Sequence, residues 1–313
     1  MNRKEPKDLA ASIRQRLLNL ARERGEDFEL VLIHYAVERF LYRLSRSLIA
    51  DRFVLKGAML FSTWVEVPRR PTRDLDLLGF GDDAVVSVER SVAQIVRTEV
   101  EPDGLEFDEG SIRGEEIREG QEYAGVRVRL RASLAGARIP LQVDVAFGDV
   151  VSPEPRTVEY PTLLALAAPR LRAYPPEPVV AEKFQALVAL GMANTRMKDF
   201  YDLWLLAERM RFDGPPLRQA MEATFRQRDT PVPLDPPVAL TAEFHDDASK
   251  QQQWAAFLTR SDLQAPALPA VIERVRTFLL PPAASIARGE SFDEIWQPAG
   301  AWGSRREISS KHD

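Results

Sequence analysis

The chain has 313 residues, 45% of them hydrophobic and 28% charged, enough to bury a full core in one large domain or two. It contains no cysteine, which excludes disulfides, zinc–thiolate centres and thiol catalysis, and its three histidines (His34, His245, His312) are too scattered for a histidine metal cluster. A formal net charge of −5 excludes the global signature of a nucleic-acid binder, though not a local basic stripe.

The segment Met1-Asn2-Arg3-Lys4-Glu5-Pro6 has no apolar stretch of the signal-peptide kind, and no apolar run approaches the ~18 residues of a membrane span. With the missing cysteines, this fits a cytoplasmic protein with no membrane partner. Residues 7–50 read as helices. Ile13, Leu17 and Leu18 recur at helical spacing, and Leu30 to Leu44 carry a broad apolar face that Asp27 is placed to cap. Val54-Leu55-Lys56-Gly57 leads into a short helix, Ala58 to Val65, and Pro68 and Pro71 then interrupt the chain.

Asp74-Leu75-Asp76-Leu77-Leu78 reads as a strand ended by Gly79 and Gly81. A D-x-D on a strand sends both carboxylates to one face, because side chains alternate with period 2. Two acids on one face repel unless a cation or solvent separates them; a divalent metal is the economical solution, and hard oxygen ligands suit Mg²⁺, with Mn²⁺ as its substitute. Gly57 lets backbone approach a phosphate closely. Together these parts describe a site for a metal-bound nucleoside triphosphate.

An amphipathic helix follows over 83–100, and the acid-rich stretch Glu101 to Glu122 reads as an edge strand with turns. Val126 to Arg131 alternates strictly and places Arg127, Arg129 and Arg131 on one face, either a solvated face or a contact for RNA or nucleotide. Ile139 to Phe147 is the next strand, with Asp144 pointing off its apolar face. A proline-rich passage, Pro153 to Pro178, reads as a link between domains. Beyond it the chain reads as helical: Val179 to Met192, then Arg196 to Met210 behind a cap at Asn194 or Thr195, then 250–258 and 268–278. Phe292, Trp296 and Trp302 read as packing anchors, and the polar tail 304–313 as disordered. The expected domains are an N-terminal helical segment (1–50), a core (51–152), a mainly helical C-terminal domain (153–303) and the tail.

Gly57-Ala58, Asp74-Leu75-Asp76 and Val143-Asp144-Val145, in that order, resemble the polymerase-β-type nucleotidyltransferase superfamily. Its usual signature is a glycine–serine pair, a helix, a strand carrying D-x-D, and a third acid on a later strand. The resemblance implies an α+β fold: a polymerase-β-like core, a mixed sheet with helices, plus a helical C-terminal domain. Here alanine stands in place of the serine, with Ser62 or Thr63 as substitutes, and 15 residues separate Ala58 from Asp74.

Val179-Val180-Ala181-Glu182-Lys183, followed by Arg196-Met197-Lys198-Asp199-Phe200-Tyr201-Asp202-Leu203, resembles the AbiEii/AbiGii-type nucleotidyltransferase toxins, which include the MenT group. That resemblance implies metal binding by Asp74, Asp76 and Asp144. It implies nucleotide contacts by Lys56, Gly57, Ala58, Lys183 and Asp202, and catalytic roles for Lys183 and Asp199 beside the three acids. It also implies a cognate antitoxin and, for the MenT group, transfer of NMP from an NTP to the 3′ end of tRNA. Two other readings stay open: a nucleotidyltransferase that modifies a small molecule or a protein, and a non-catalytic nucleotide-binding module. Thr72, two residues before Asp74, is a candidate for an inhibitory modification.

Overall fold

The computed structural model describes residues 8–65, 72–119 and 123–304. Pro68, Pro71, the first residue of the helical stretch expected from 7, and residues 305–313 of the expected tail lie outside the described residues. The chain divides into two compact units.

The described residues of the first unit are 8–63, 72–119, 123–149 and 156–173. It opens with α1 (Leu9–Arg24), where the Asp8 carboxylate accepts the Ala11 N–H and Gly25 closes the helix in the left-handed region. The Asp27 carboxylate caps α2 (Phe28–Arg46), as expected from the sequence. Helix α2 is the centre of the core: Tyr35, Ala36, Val37, Phe40 and Leu41 are wholly buried. Next come β1 (Phe53–Lys56), a 3-10 turn (Ala58–Leu60), α3 (Phe61–Trp64), β2 (Asp74–Gly79) and α4 (Val85–Val96). Three long strands follow, β3 (Glu106–Glu119), β4 (Tyr123–Leu134) and β5 (Ala137–Phe147). The proline-rich passage contributes two more, β6 (Arg156–Glu159) and β7 (Arg170–Ala173).

These seven strands form one sheet in the order β3-β4-β5-β2-β1-β7-β6. It is mixed: β2 runs parallel to β5 and β1 parallel to β7, and the remaining pairs are antiparallel. Helix α2 packs against β5 and β7, and α4 against β3 and β4. Alternation decides what faces the core. Leu75, Val143 and Val128 lie in one registered row and are wholly buried. Gly114 continues that row on β3, and a Cβ there would strike Val85 and Glu89 of α4. The helix therefore covers the apolar face, and Asp74, Asp76 and Asp144 project from the opposite one.

The described residues of the second unit are 64–65, 150–155 and 174–304. It is mainly helical: α5 (Pro176–Leu190), α6 (Met197–Arg209), α7 (Gly214–Gln227), α8 (Ala242–His245), α9 (Ala248–Ser261) and α10 (Leu268–Arg288). Helix α5 packs on α7, and α10 on α6 and α7. A small three-stranded sheet joins β8 (Phe212–Asp213), β9 (Ile295–Trp296) and β10 (Trp302–Gly303). Trp296 is wholly buried, donates its indole N–H to the Ala207 carbonyl at 2.8 Å and packs on Phe278. Phe292 and Trp302 meet edge to face, so these aromatics are the packing anchors expected of them.

Candidate functional site

The sheet register assembles the site. Lys56 of β1 stands opposite Asp76 of β2, Asp76 opposite Asp144 of β5, Asp144 opposite Arg127 of β4, and Arg127 opposite Glu115 of β3. Residues directly opposite one another share a face, so five charged side chains from five strands make a single row. Two residues along, a second row on that face holds Asp74, Gln142, Arg129 and Arg113. The D-x-D expectation is met: Asp74 is exposed and Asp76 half-buried, while Leu75 and Leu77 point into the core.

Gly57 leaves β1 beside this row. Its φ of 75° and ψ of −160° suit glycine alone, and a Cβ built there would collide with the Asp76 carboxylate. The loop backbone therefore lies directly against the second acid of the D-x-D. Ala58 follows in the 3-10 turn. The short helix expected from 58 to 65 is that turn and the four residues of α3, too brief to build a helix dipole. Of the two hydroxyls proposed to replace the missing serine, Thr63 donates to the Leu60 carbonyl at 2.7 Å, and Ser62 lies 3.3 Å from the Tyr160 hydroxyl.

Arg127 takes Asp144 in a fork, Nε to Oδ1 at 2.9 Å and Nη2 to Oδ2 at 2.7 Å. The hydrogen bond to Asp144 raises the guanidinium pKa above its ordinary value. Lys56 Nζ lies 2.5 Å from Asp149 Oδ2. Among the described residues, no group of three or more acids and histidines is gathered closely enough to enclose a metal. The donor chemistry nonetheless suits a hard divalent cation: carboxylate oxygens on neighbouring registered positions, with backbone close by. Asp74 and Asp76 offer oxygens of that kind, and Asp144 would join them by exchanging its contact with Arg127.

The alternation of β4 gives its three arginines equal standing, and the structure separates them. The Arg127 side chain is 27% exposed, whereas Arg129 and Arg131 are 55% and 60% exposed and pair with Glu115 at 2.8 Å and Asp108 at 3.0 Å. His34, read as structural, places its Nε2 2.8 Å from the Thr72 carbonyl and so positions the lead-in to β2. The sequence does not mark Asp149, Arg113, or Arg127 as a partner of Asp144. Asp149 and Arg127 act through pairing across the fold, and Arg113 is placed by the register of β3 with β4; local pattern holds no signal for either.

The second unit carries a separate ion cluster. Lys183 of α5 reaches Asp199 Oδ1 at 2.6 Å and Asp202 Oδ2 at 2.9 Å, both on α6. Arg196 Nε lies 2.7 Å from Asp199 Oδ2. Asp199 and Asp202 are buried. Burial works to discharge Lys183, but the two carboxylates outweigh it and hold the ammonium pKa above its ordinary value. Burial likewise opposes the Asp199 charge, and Lys183 and Arg196 reverse that, leaving its pKa below the usual carboxylate value. Both acids therefore orient Lys183, whose side chain keeps 16% exposure.

A sequence profile described as the nucleotidyl transferase AbiEii toxin of type IV toxin–antitoxin systems matches residues 39–297. Comparison with curated proteins gives no match. Among solved structures, JHP933 from Helicobacter pylori is similar at 15% identity and a TM-score of 0.45, over 82% of this chain and 93% of that one. A candidate nucleotidyltransferase from H. pylori is similar at 14% identity and a TM-score of 0.41, over 80% of this chain and 92% of that one. Among the described residues, no helix is long and apolar enough to cross a membrane.

Proposed function

We propose that this chain, which belongs to the AbiEii family of nucleotidyltransferase toxins of type IV toxin–antitoxin systems, transfers an NMP to the 3′ end of tRNA in the cytoplasm and thereby stops translation and growth. The observation that carries the reading is the register of Asp76 with Asp144 beside the Gly57 loop. A D-x-D, a third acid on the adjacent strand and a glycine loop in contact with the acids are the parts that nucleotidyl transfer requires.

The acceptor oxygen forms a bond to the α-phosphorus of the NTP. The bond from that phosphorus to the bridging oxygen of the β-phosphate breaks, pyrophosphate leaves, and the hydroxyl proton goes to solvent. Mg²⁺, or Mn²⁺ in its place, supplies charge neutralisation of the triphosphate and a lower pKa for the acceptor hydroxyl. Asp74, Asp76 and Asp144 are the residues to hold it. Gly57 and Ala58 offer backbone to the triphosphate, and Lys56 offers charge in exchange for Asp149. Lys183 neutralises the nucleotide, held in place by Asp199 and Asp202. A separate antitoxin is the expected partner.

The test is incubation of the full chain with each labelled NTP and, separately, total RNA, protein and an aminoglycoside, with and without Mg²⁺. Label on the 3′ end of tRNA supports the reading, and label on protein or aminoglycoside alone overturns the acceptor. Growth arrest that survives Asp76→Asn would make the protein a binding module instead of an enzyme.

A further inference from the structure

A cavity of about 650 Å³ opens beside Asp74, at the start of β2. Arg73, Arg113, Arg129 and Arg131 line it, together with Gln142. Four arginines thus gather beside Asp74 in a chain of net charge −5. An irregularity in the sheet shapes the cavity. Strand β3 loses register with β4 between Asp108 and Arg113, and Gly110 and Ser111 of that bulge form part of the wall. Bulges re-aim side chains, and here Arg113 donates to the Gly110 and Ile112 carbonyls within the irregular stretch.

We propose that this cavity holds the phosphodiester backbone of the acceptor RNA and guides its 3′ hydroxyl to Asp74. The assignment rests on the reaction proposed above and adds the site that takes the acceptor. Displacement at phosphorus is in line, so nucleophile and leaving group occupy opposite sides of the α-phosphate. Gly57 and Lys56 lie on the β1 side of Asp76 and offer the triphosphate its place. The acceptor must then enter from the β5-β4-β3 side, where the arginines are.

Their chemistry selects the acceptor class. A polycationic aminoglycoside would gain nothing from the arginines that line it. A polynucleotide presents a row of anions, and Arg129 and Arg131 sit two residues apart on one strand face, about 7 Å along it, a spacing comparable to that of phosphates on an extended chain. Glu115 and Asp108 pair with them in exposed ion pairs, which are weak and readily exchanged for phosphate. Contacts of this kind position a strand without reading its bases.

The test uses the full chain carrying Asp76→Asn, which blocks turnover, and fluorescence anisotropy with a 3′-hydroxyl oligoribonucleotide in the absence of NTP. Adding Arg129→Gln and Arg131→Gln together should weaken RNA binding about tenfold or more and flatten the plot of log affinity against log salt by about one unit for each arginine–phosphate pair removed. Arg22→Gln on the exposed face of α1, added instead, should bind RNA as Asp76→Asn alone does. Circular dichroism checks that each variant is folded. An equal loss across RNA sequences supports the proposal. RNA affinity and salt slope equal to those of the Arg22→Gln protein overturn it, as does preferential capture of polyglutamate or of the matching oligodeoxyribonucleotide. Steady-state transfer separates the two readings. Measured with Asp76 intact, label transferred to RNA by the Arg129→Gln, Arg131→Gln protein with an unaltered KM for RNA overturns the cavity assignment alone, and transfer to no RNA by the unaltered protein overturns the acceptor named for the reaction as well.

Discussion

Arg127 binds both carboxylate oxygens of Asp144, and Asp144 stands in register with Asp76. The third acid of the site is thus held by a fixed cation one strand away. A divalent ion that recruits Asp144 competes with that guanidinium. Arg127→Gln should therefore raise the affinity for Mn²⁺ by about tenfold, the scale of one nearby charge at partial exposure. Electron paramagnetic resonance of Mn²⁺ titrated into the nucleotide-free protein measures it. Unchanged affinity would remove Asp144 from the metal shell.

Asp74→Asn and Asp76→Asn keep the side-chain shape and remove a charge. Either should lower nucleotidyl transfer by about a hundredfold or more, the scale set by losing electrostatic support for a transition state. Growth arrest on expression should disappear with it. Transfer within a few-fold of the unaltered protein, for either variant, would show that the D-x-D is only a strand edge.

Gly57→Ala forces a Cβ into the Asp76 carboxylate at a backbone conformation that suits glycine alone. The strain should cost about 1–3 kcal/mol of stability, seen in urea unfolding. Transfer should fall more than stability explains, because Asp76 must move. Gly25→Ala is the control: it also has positive φ, but a Cβ there meets nothing within 4 Å. A Gly57→Ala protein no less active than Gly25→Ala would separate the loop from the site.

Much of this site was legible because its parts are periodic. Strict alternation over Val126–Arg131 and Ile139–Phe147 identified the strands and the face that carries Arg127 and Asp144. The spacing of Asp74 and Asp76 needed only the two-residue repeat of a strand. What escaped is non-local or too short to have a period. Lys56 meets Asp149 across the fold, and His34 reaches Thr72 from α2. Strands β6 and β7 have four residues each amid prolines, so their alternation is too brief to stand out. Helix α7 has no counterpart in the sequence reading; it begins Gly214-Pro215-Pro216, and proline in the first helical turn costs no hydrogen bond. The cavity depends on a register shift between β3 and β4, which neither strand reveals alone.

Glu38 on α2 is buried, and burial pushes its pKa up to about 7 against the pull of Arg39 at 2.7 Å. It accepts the Leu163 N–H at 2.6 Å, and Arg39 donates to the Ala167 carbonyl, so the pair fastens the segment that leads into β7. A carboxyl whose folded pKa is raised binds its proton more tightly folded than unfolded. Its contribution is complete below the unfolded value near 4.5 and is lost as pH rises toward about 7. Wild-type stability should fall over that window by roughly 3 kcal/mol from this group. Glu38→Gln keeps the acceptor for Leu163 and should remove the slope. Parallel pH profiles for the two proteins in chemical denaturation would refute the assignment.

The Lys183 cluster makes function and stability hard to separate by deletion. Lys183→Met leaves Asp199 and Asp202 buried without the cation that both contact. Breaking such a group from one side costs about 3–5 kcal/mol, so the absence of growth arrest in that variant proves nothing about catalysis. Asp202→Asn is the better probe: it removes one charge, and Asp199 still holds Lys183 at 2.6 Å. If Lys183 neutralises the nucleotide, Asp202→Asn should melt within a few degrees of the unaltered protein and show an altered KM for NTP, because the ammonium is less firmly held. A purely structural cluster would shift the melting temperature and leave that KM in place.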